Sequence, residues 1–117
     1  MSIQPVQAFE PPYVMAVFSS VRTPDVRTPD ESGYPETNAR MNEIVAQNPG
    51  FLGYESARGP GGLGITVAYF RDHDSLAVWR DDLEHRAAME QGRAHWYDSY
   101  TLHVATVDRS HGFVRNG

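Results

Sequence analysis

The segment R-D-H-D-S-L-A-V-W-R-D-D-L-E-H-R-A-A-M-E-Q-G-R-A-H-W-Y-D-S-Y-T-L-H-V, Arg71 to Val104, changes period partway along. That change decides how the chain ends its fold. Leu76, Trp79 and Leu83 share a helical face in the first part. His85, Ala88, Met89, Gly92 and Trp96 then fall at i, i+3, i+4, i+7 and i+11, again one face of a helix. From Tyr97 to Val107 the period becomes two. Tyr100, Leu102, Val104 and Thr106 lie on one side and Thr101, His103, Ala105 and Val107 on the other, which predicts a strand. Asp72 or Asp74 can cap the helix start. Asp81-Asp82 predicts a kink or break. Gly92 lowers helix propensity enough to end the helix or to admit a close neighbour. Both tryptophans and four of the five histidines lie between Asp72 and Val107, so a chemical site is expected along one face of this stretch.

Working outward, Met1 to Pro12 reads as a loose N-terminal arm closed by Pro11-Pro12. Tyr13 to Val21 is a strand, with Tyr13, Met15 and Val17 on one face and Val14, Ala16 and Phe18 on the other. Both faces are largely apolar, so each needs a cover. Arg22 to Gly33 follows, and the five residues V-R-T-P-D occur twice in tandem, at Val21–Asp25 and Val26–Asp30. Its two prolines predict turns, either a plain surface loop or a flap over a pocket mouth. Tyr34-Pro35-Glu36 opens a helix. Asn38, Met41, Ile44, Val45 and Asn48 form one face of it, and Asn48-Pro49-Gly50 stops it. Phe51–Ala57 and Gly64–Arg71 are two strands joined by a glycine-rich hairpin loop. On the second of them Ile65, Val67 and Tyr69 share one face and Thr66, Ala68 and Phe70 the other. Gly53 inside a strand predicts a bulge or a close neighbour.

The order β-α-β-β-α-β, with right-handed crossovers, predicts an α+β ferredoxin-like subunit: a four-stranded antiparallel sheet with the helices on one face. The other face keeps apolar groups from several strands, and burying it against a second copy predicts a two-fold homodimer. The arm covers 1–12, one domain spans 13–107 and a polar tail runs from 108 to 117. A chain of 117 residues is the size of one domain. Its net charge is -5 and its basic residues are all arginine, with no basic stripe to neutralise phosphates, so nucleic acid and anionic membrane are not expected partners. Cysteine is absent, which removes disulfides, thiolate metal sites and cysteine nucleophiles. No apolar run approaches a membrane span and the N-terminus does not read as a signal peptide, so a cytoplasmic protein is expected.

Pro49-Gly-Phe-Leu-Gly-Tyr-Glu-Ser56, Gly64-Ile-Thr-Val-Ala-Tyr-Phe70, Trp79 with His85, and Gly92-Arg-Ala-His-Trp-Tyr97 together resemble the antibiotic biosynthesis monooxygenase superfamily, specifically its little-characterised bacterial branch. The resemblance runs from about Tyr13 to Val107. It implies a dimeric α+β barrel with a pocket in each subunit between sheet and helices. One branch of the superfamily oxidises polycyclic phenols with O2 and neither metal nor flavin. Its substrate anion reduces oxygen, and the protein supplies an apolar pocket and a group that takes the proton. Trp79 matches that branch's pocket tryptophan and His85 its polar aromatic, whereas Ser75 stands where the branch has Asn. Another branch binds and degrades haem through a helix histidine and an Asn at the end of the first strand. Here the ligand position is Met89 and Val17–Ser20 contains no Asn. The resemblance therefore disfavours haem and implies no cofactor, with Met89 or His85 the remaining iron ligand if haem were bound.

The leading expectation is a cofactor-independent monooxygenase acting on a small aromatic or enolisable substrate. The alternative is a non-catalytic ligand-binding or stress-associated dimer on the same scaffold, and haem binding or degradation stands third. His85 is the candidate catalytic residue, because an imidazole with an ordinary pKa of about 6.5 suits a general base near neutrality. Trp79, Trp96, Tyr69, Met89 and Tyr54 are the candidate substrate-binding residues. Each has a plainer reading as core or interface, tryptophan above all. His95, His103 and Asp98 are not placed by strand and helix geometry to converge on a metal, so no metal site is expected.

Overall fold

The computed structural model describes residues 4–24 and 34–115, with backbone alone at residues 34 and 35. The elements are β1 Tyr13–Arg22, α1 Tyr34–Ala46, β2 Phe51–Arg58, β3 Leu63–Phe70, α2 His73–Asp81, α3 Leu83–Gln91, a π-helical turn Gly92–Trp96, and β4 Tyr97–Val107. Most of the duplicated Val-Arg-Thr-Pro-Asp segment, and with it the expected loop or flap, lies outside the described residues.

The four strands form one sheet in the order β2-β3-β1-β4, and every neighbouring pair is antiparallel. This is the expected ferredoxin-like α+β arrangement, with β1 and β3 central. The register sorts side chains by face. Val14 stands opposite Phe70 and Thr106, Ala16 opposite Ala68 and Val104, and Phe18 opposite Thr66 and Leu102. The helices cover that face over β1 and β3, while Leu102 and Val104 of β4 stay 55% and 45% exposed. Val14, Ala16 and Phe70 are buried in it, Phe70 completely, and Val45 of α1 is buried with them. Met15, Val17 and Ser19, opposite Tyr69, Val67 and Ile65, form the open face. The even alternation of apolar residues in β1 therefore reflects two different environments.

The bulge expected at Gly53 is present: the β2–β3 register shifts between Phe51 and Gly53. Gly53 has φ +143°, and a Cβ there would meet the Val6 side chain at 3.4 Å. The extra residue turns Phe51 onto the helix face beside Tyr54, where simple alternation would separate them. The N-terminal arm is tied to the open face rather than loose. The Val6 N–H donates to Glu55 Oε1 (2.8 Å), the Phe9 ring meets Tyr13 edge-on, and the Ser110 hydroxyl donates to the Phe9 carbonyl (2.7 Å).

The second helical region is two helices rather than one kinked helix. Asp82, at φ -60° and ψ 130°, ends α2, and its side chain caps α3 by accepting from the His85 N–H. Asp72 caps the start of α2 through the Ser75 N–H, and Gly50 packs so closely on Ser75 that a Cβ there would overlap its side chain. At the far end Gly92 meets both expectations: α3 stops at Gln91, and a Cβ at Gly92 would sit 2.7 Å from the Tyr97 ring. The wider π turn then displaces Trp96 from the position α-helical spacing gives it, into the core at 4% exposure. No helix among the described residues is long and apolar enough to cross a membrane.

Candidate functional site

Between α1 and the β2–β3 half of the sheet lies a cavity of about 390 Å³. That volume is at the lower end of the range for small-molecule sites, roughly 300–1,000 Å³. α1 contributes Asn38, Met41, Asn42 and Val45, spaced so that they share one face. Tyr54, Ser56 and Arg58 of β2, at alternate positions, form the floor with Thr66 and Ala68 of β3, and the bulge adds Phe51. Trp79 of α2 closes one wall.

Trp79 is held from behind. The His85 ring stacks on the Trp79 ring at a centroid distance of 4.0 Å and 19° between planes. His85 Nδ1 lies 3.1 Å from the Trp79 carbonyl oxygen, which also accepts the Asp82 N–H at 3.2 Å. A carbonyl only accepts, so Nδ1 carries the hydrogen and Nε2 of the neutral ring carries the lone pair. Burial holds the His85 pKa below the ordinary imidazole value, against smaller opposing effects of the Trp79 carbonyl and the Asp82 charge. The ring is therefore neutral at neutral pH. A two-point ion pair joins the cavity's helical roof to α3: Arg40 Nε and Nη2 lie 2.9 and 3.0 Å from the two Glu84 oxygens. Hydrogen bonds from Arg40, and then its charge, hold the Glu84 carboxyl below its usual pKa.

The candidate residues separate into groups. Trp79 and Tyr54 line the cavity. His85 supports Trp79 without belonging to the lining, and Met89 lies half-buried one turn further along α3. Trp96 is core. Tyr69 is on the opposite face of the sheet and cannot line this cavity, because it pairs with Met15 and Gly53. There its hydroxyl donates to Glu55 Oε2 (2.9 Å), and burial followed by that carboxylate pushes its pKa up to about 12. Among the described residues no group of three or more His, Asp or Glu could hold a metal ion.

Sequence reasoning missed the two arginines of the lining, Arg22 and Arg58. The Arg58 guanidinium crosses β3 at Gly64, where a Cβ would overlap it, and donates from Nη1 to the Gly62 carbonyl (2.6 Å) and from Nη2 to the buried Ser20 hydroxyl (3.3 Å). The available signal was Gly64, a glycine within a strand, paired with an arginine immediately before the hairpin loop.

The four-stranded antiparallel sheet with helices on one face is a fold this chain shares with solved monooxygenases of the antibiotic biosynthesis type. The crystal structure of one such monooxygenase matches with a TM-score of 0.65 at 14% identity, over 83% of this chain and 98% of that one. A variant of SnoaB, a cofactor-independent oxygenase from Streptomyces nogalater, matches with a TM-score of 0.66 at 16% identity, over 84% and 95% of the two chains. No family model matches the chain. In sequence it belongs to the family of YqjZ, an uncharacterized protein of Bacillus subtilis (strain 168), with 47% identity over 107 residues, 92% of this chain and 90% of that one.

Proposed function

We propose that this protein is a cofactor-independent monooxygenase that oxidises a small aromatic or enolisable substrate with O2 in the cavity under α1. The observation that carries the reading is the Trp79–His85 unit: an aromatic wall with a neutral imidazole stacked on it at 4.0 Å. A phenol or enol lies against Trp79, between Phe51, Tyr54 and Met41. His85, with its Nδ1 hydrogen committed to the Trp79 carbonyl, takes the substrate proton through Nε2, which requires the substrate to reach past the edge of the Trp79 ring because His85 stands outside the lining. The substrate anion then supplies electrons to O2. One oxygen atom enters the product and the other leaves as water, so that a ring CH2 becomes C=O. Trp79, Phe51, Met41 and Val45 give the anion an apolar wall on one side of a lining that is polar at its other end. The likeness to SnoaB supports the reading through the fold.

The test is oxygen uptake with anthrones and dihydroquinones. His85→Ala is expected to lower the rate by about 100-fold or more, the usual contribution of a positioned base. His85→Gln is expected to abolish the fall in rate that the wild type shows on the acid side of neutrality. Equal rates in wild type and His85→Ala would remove the histidine from the chemistry. Thermal stabilisation by small aromatics without turnover of any phenol or enol would favour the non-catalytic binder.

A further inference from the structure

The roof of the cavity is one helix, and it is fastened at two points. At its C-terminal end α1 is tied to α2 through the turn that stops it. The Asn48 side-chain amide donates to the Ser75 carbonyl (2.9 Å), and its oxygen accepts the Gly50 N–H (2.9 Å). Gly50 packs on the Ser75 side chain with no room for a Cβ, and its carbonyl accepts the Arg71 N–H (2.7 Å). Val45, the lining residue nearest this end, is buried. Asn38, Met41 and Asn42 line the cavity nearer the helix start, where Asn38 is exposed. A helix held at one end can swing about it. Arg40 supplies the second fastening, roughly two turns away. Its Nε and Nη2 donate to the two Glu84 oxygens at 2.9 and 3.0 Å. A one-point contact would leave the arginine free to pivot, whereas this one fixes the guanidinium plane against the carboxylate. Among the described residues no other α1 side chain hydrogen-bonds to another element. The second partner of Arg40, Glu43 at 3.3 Å, is on α1 itself and fastens nothing. Glu84 precedes His85 in the first turn of α3, so the pair ties the roof to the turn that backs Trp79.

We infer that Arg40 and Glu84 are positioning residues for the cavity: their pair clamps the N-terminal half of α1 over Trp79, so that Met41 and Asn42 stay against a ring lying on that wall. The inference rests on the reading that this cavity takes the ligand. Neither residue touches the ligand; both act through α1. Their side chains are 50% and 54% exposed, so the pair contributes little to folding and salt weakens it. A contact too weak to decide whether the domain folds is still strong enough to decide where one helix rests.

The test is acrylamide quenching of tryptophan fluorescence in the ligand-free protein. Trp96 is core at 4% exposure, so a change in quenching reports Trp79. Arg40→Gln and Glu84→Gln should each raise quenching by about 1.5- to fivefold, the span in an equilibrium constant that one exposed ion pair covers. The double variant should match the single ones, because both residues act through one contact. Glu43→Gln should quench as wild type does. Acrylamide is uncharged, so salt does not alter the quencher. At about 1 M salt, where screening acts within about 3 Å, wild type should approach the variants and the variants should not change. 1-Naphthol should bind both single variants more weakly by the same factor in titration calorimetry, with melting temperatures within about 5 °C of wild type. Wild-type quenching in both single variants would overturn the inference. So would additive effects in the double variant, or a Glu43→Gln that behaves like Glu84→Gln. A wild type that shows the expected quenching series but fails to bind 1-naphthol below millimolar concentration would keep the clamp and sink the reading of the cavity as the ligand site.

Discussion

His85 has one nitrogen committed to the Trp79 carbonyl and a ring face committed to Trp79; the carbonyl favours the protonated ring, and burial outweighs it. Burial lowers its pKa in the folded protein, while the unfolded chain protonates near the ordinary value of about 6.5. Between those two values the unfolded chain binds more protons, so stability rises with pH there. The contribution is fully present above about pH 6.5 and is lost as pH falls through the folded value. The melting temperature of wild type should therefore drop more between pH 7.5 and pH 5.5 than that of His85→Gln, measured by calorimetry at matched salt. Parallel slopes would mean that His85 does not titrate in this window. Gly53 gives a second test at this scale. Its φ of +143° is a conformation side chains rarely adopt, and Val6 stands 3.4 Å from where a Cβ would go. Gly53→Ala should cost about 1–3 kcal/mol in urea unfolding. An unchanged midpoint would show that the bulge relaxes at no cost.

The elements were legible to different depths, for physical reasons. Asp81-Asp82 signalled a break because a short carboxylate competes for backbone N–H groups at a helix start. Asp82 does serve as the cap of α3 while ending α2. Asp82→Ala should therefore lower stability by about 0.5–2 kcal/mol. It should also loosen the Trp79–His85 stack, seen as a change in tryptophan fluorescence. Loss of stability with no spectral change would mean that the joint is held elsewhere. The π turn at Gly92–Trp96 was not legible, because nothing local in G-R-A-H-W demands it; the demand comes from β4 beginning at Tyr97 and from the core that takes Trp96. Strand alternation sorted Ile65, Val67 and Tyr69 from Thr66, Ala68 and Phe70 correctly. Alternation cannot say which set faces the helices, so Tyr69 was grouped with Trp79 although a sheet lies between them. Arg58 was missed for a related reason: its role depends on the register that sets Gly64 opposite it and Ser20 beyond.

The sheet divides the molecule into a side that holds the cavity and a side that holds none of it. On the second side Leu63 and Ile65 remain 53% and 45% exposed, beside half-buried Met15, Val17 and Val67. The N-terminal arm touches this face around Gly53, Glu55 and Tyr13 and leaves the Leu63–Ile65 end open. Contiguous apolar area of this kind on a sheet face calls for a partner, and we propose a second copy that meets it with the same surface under two-fold symmetry. Light scattering at micromolar concentration should therefore give twice the chain mass of 13.1 kDa. Ile65→Glu places a charge in the middle of the proposed interface, where desolvating it on association costs more than the contact returns. That variant should scatter as a single chain with an unchanged far-ultraviolet spectrum. Since Ile65 and Trp79 lie on opposite sides of the sheet, its affinity for a small aromatic such as 1-naphthol should stay within about twofold of wild type if each cavity is complete in one chain. A monomeric wild type would sink the dimer. A monomeric variant that has also lost the ligand would show that the second copy shapes the cavity through the sheet, and the site would then belong to the pair of chains.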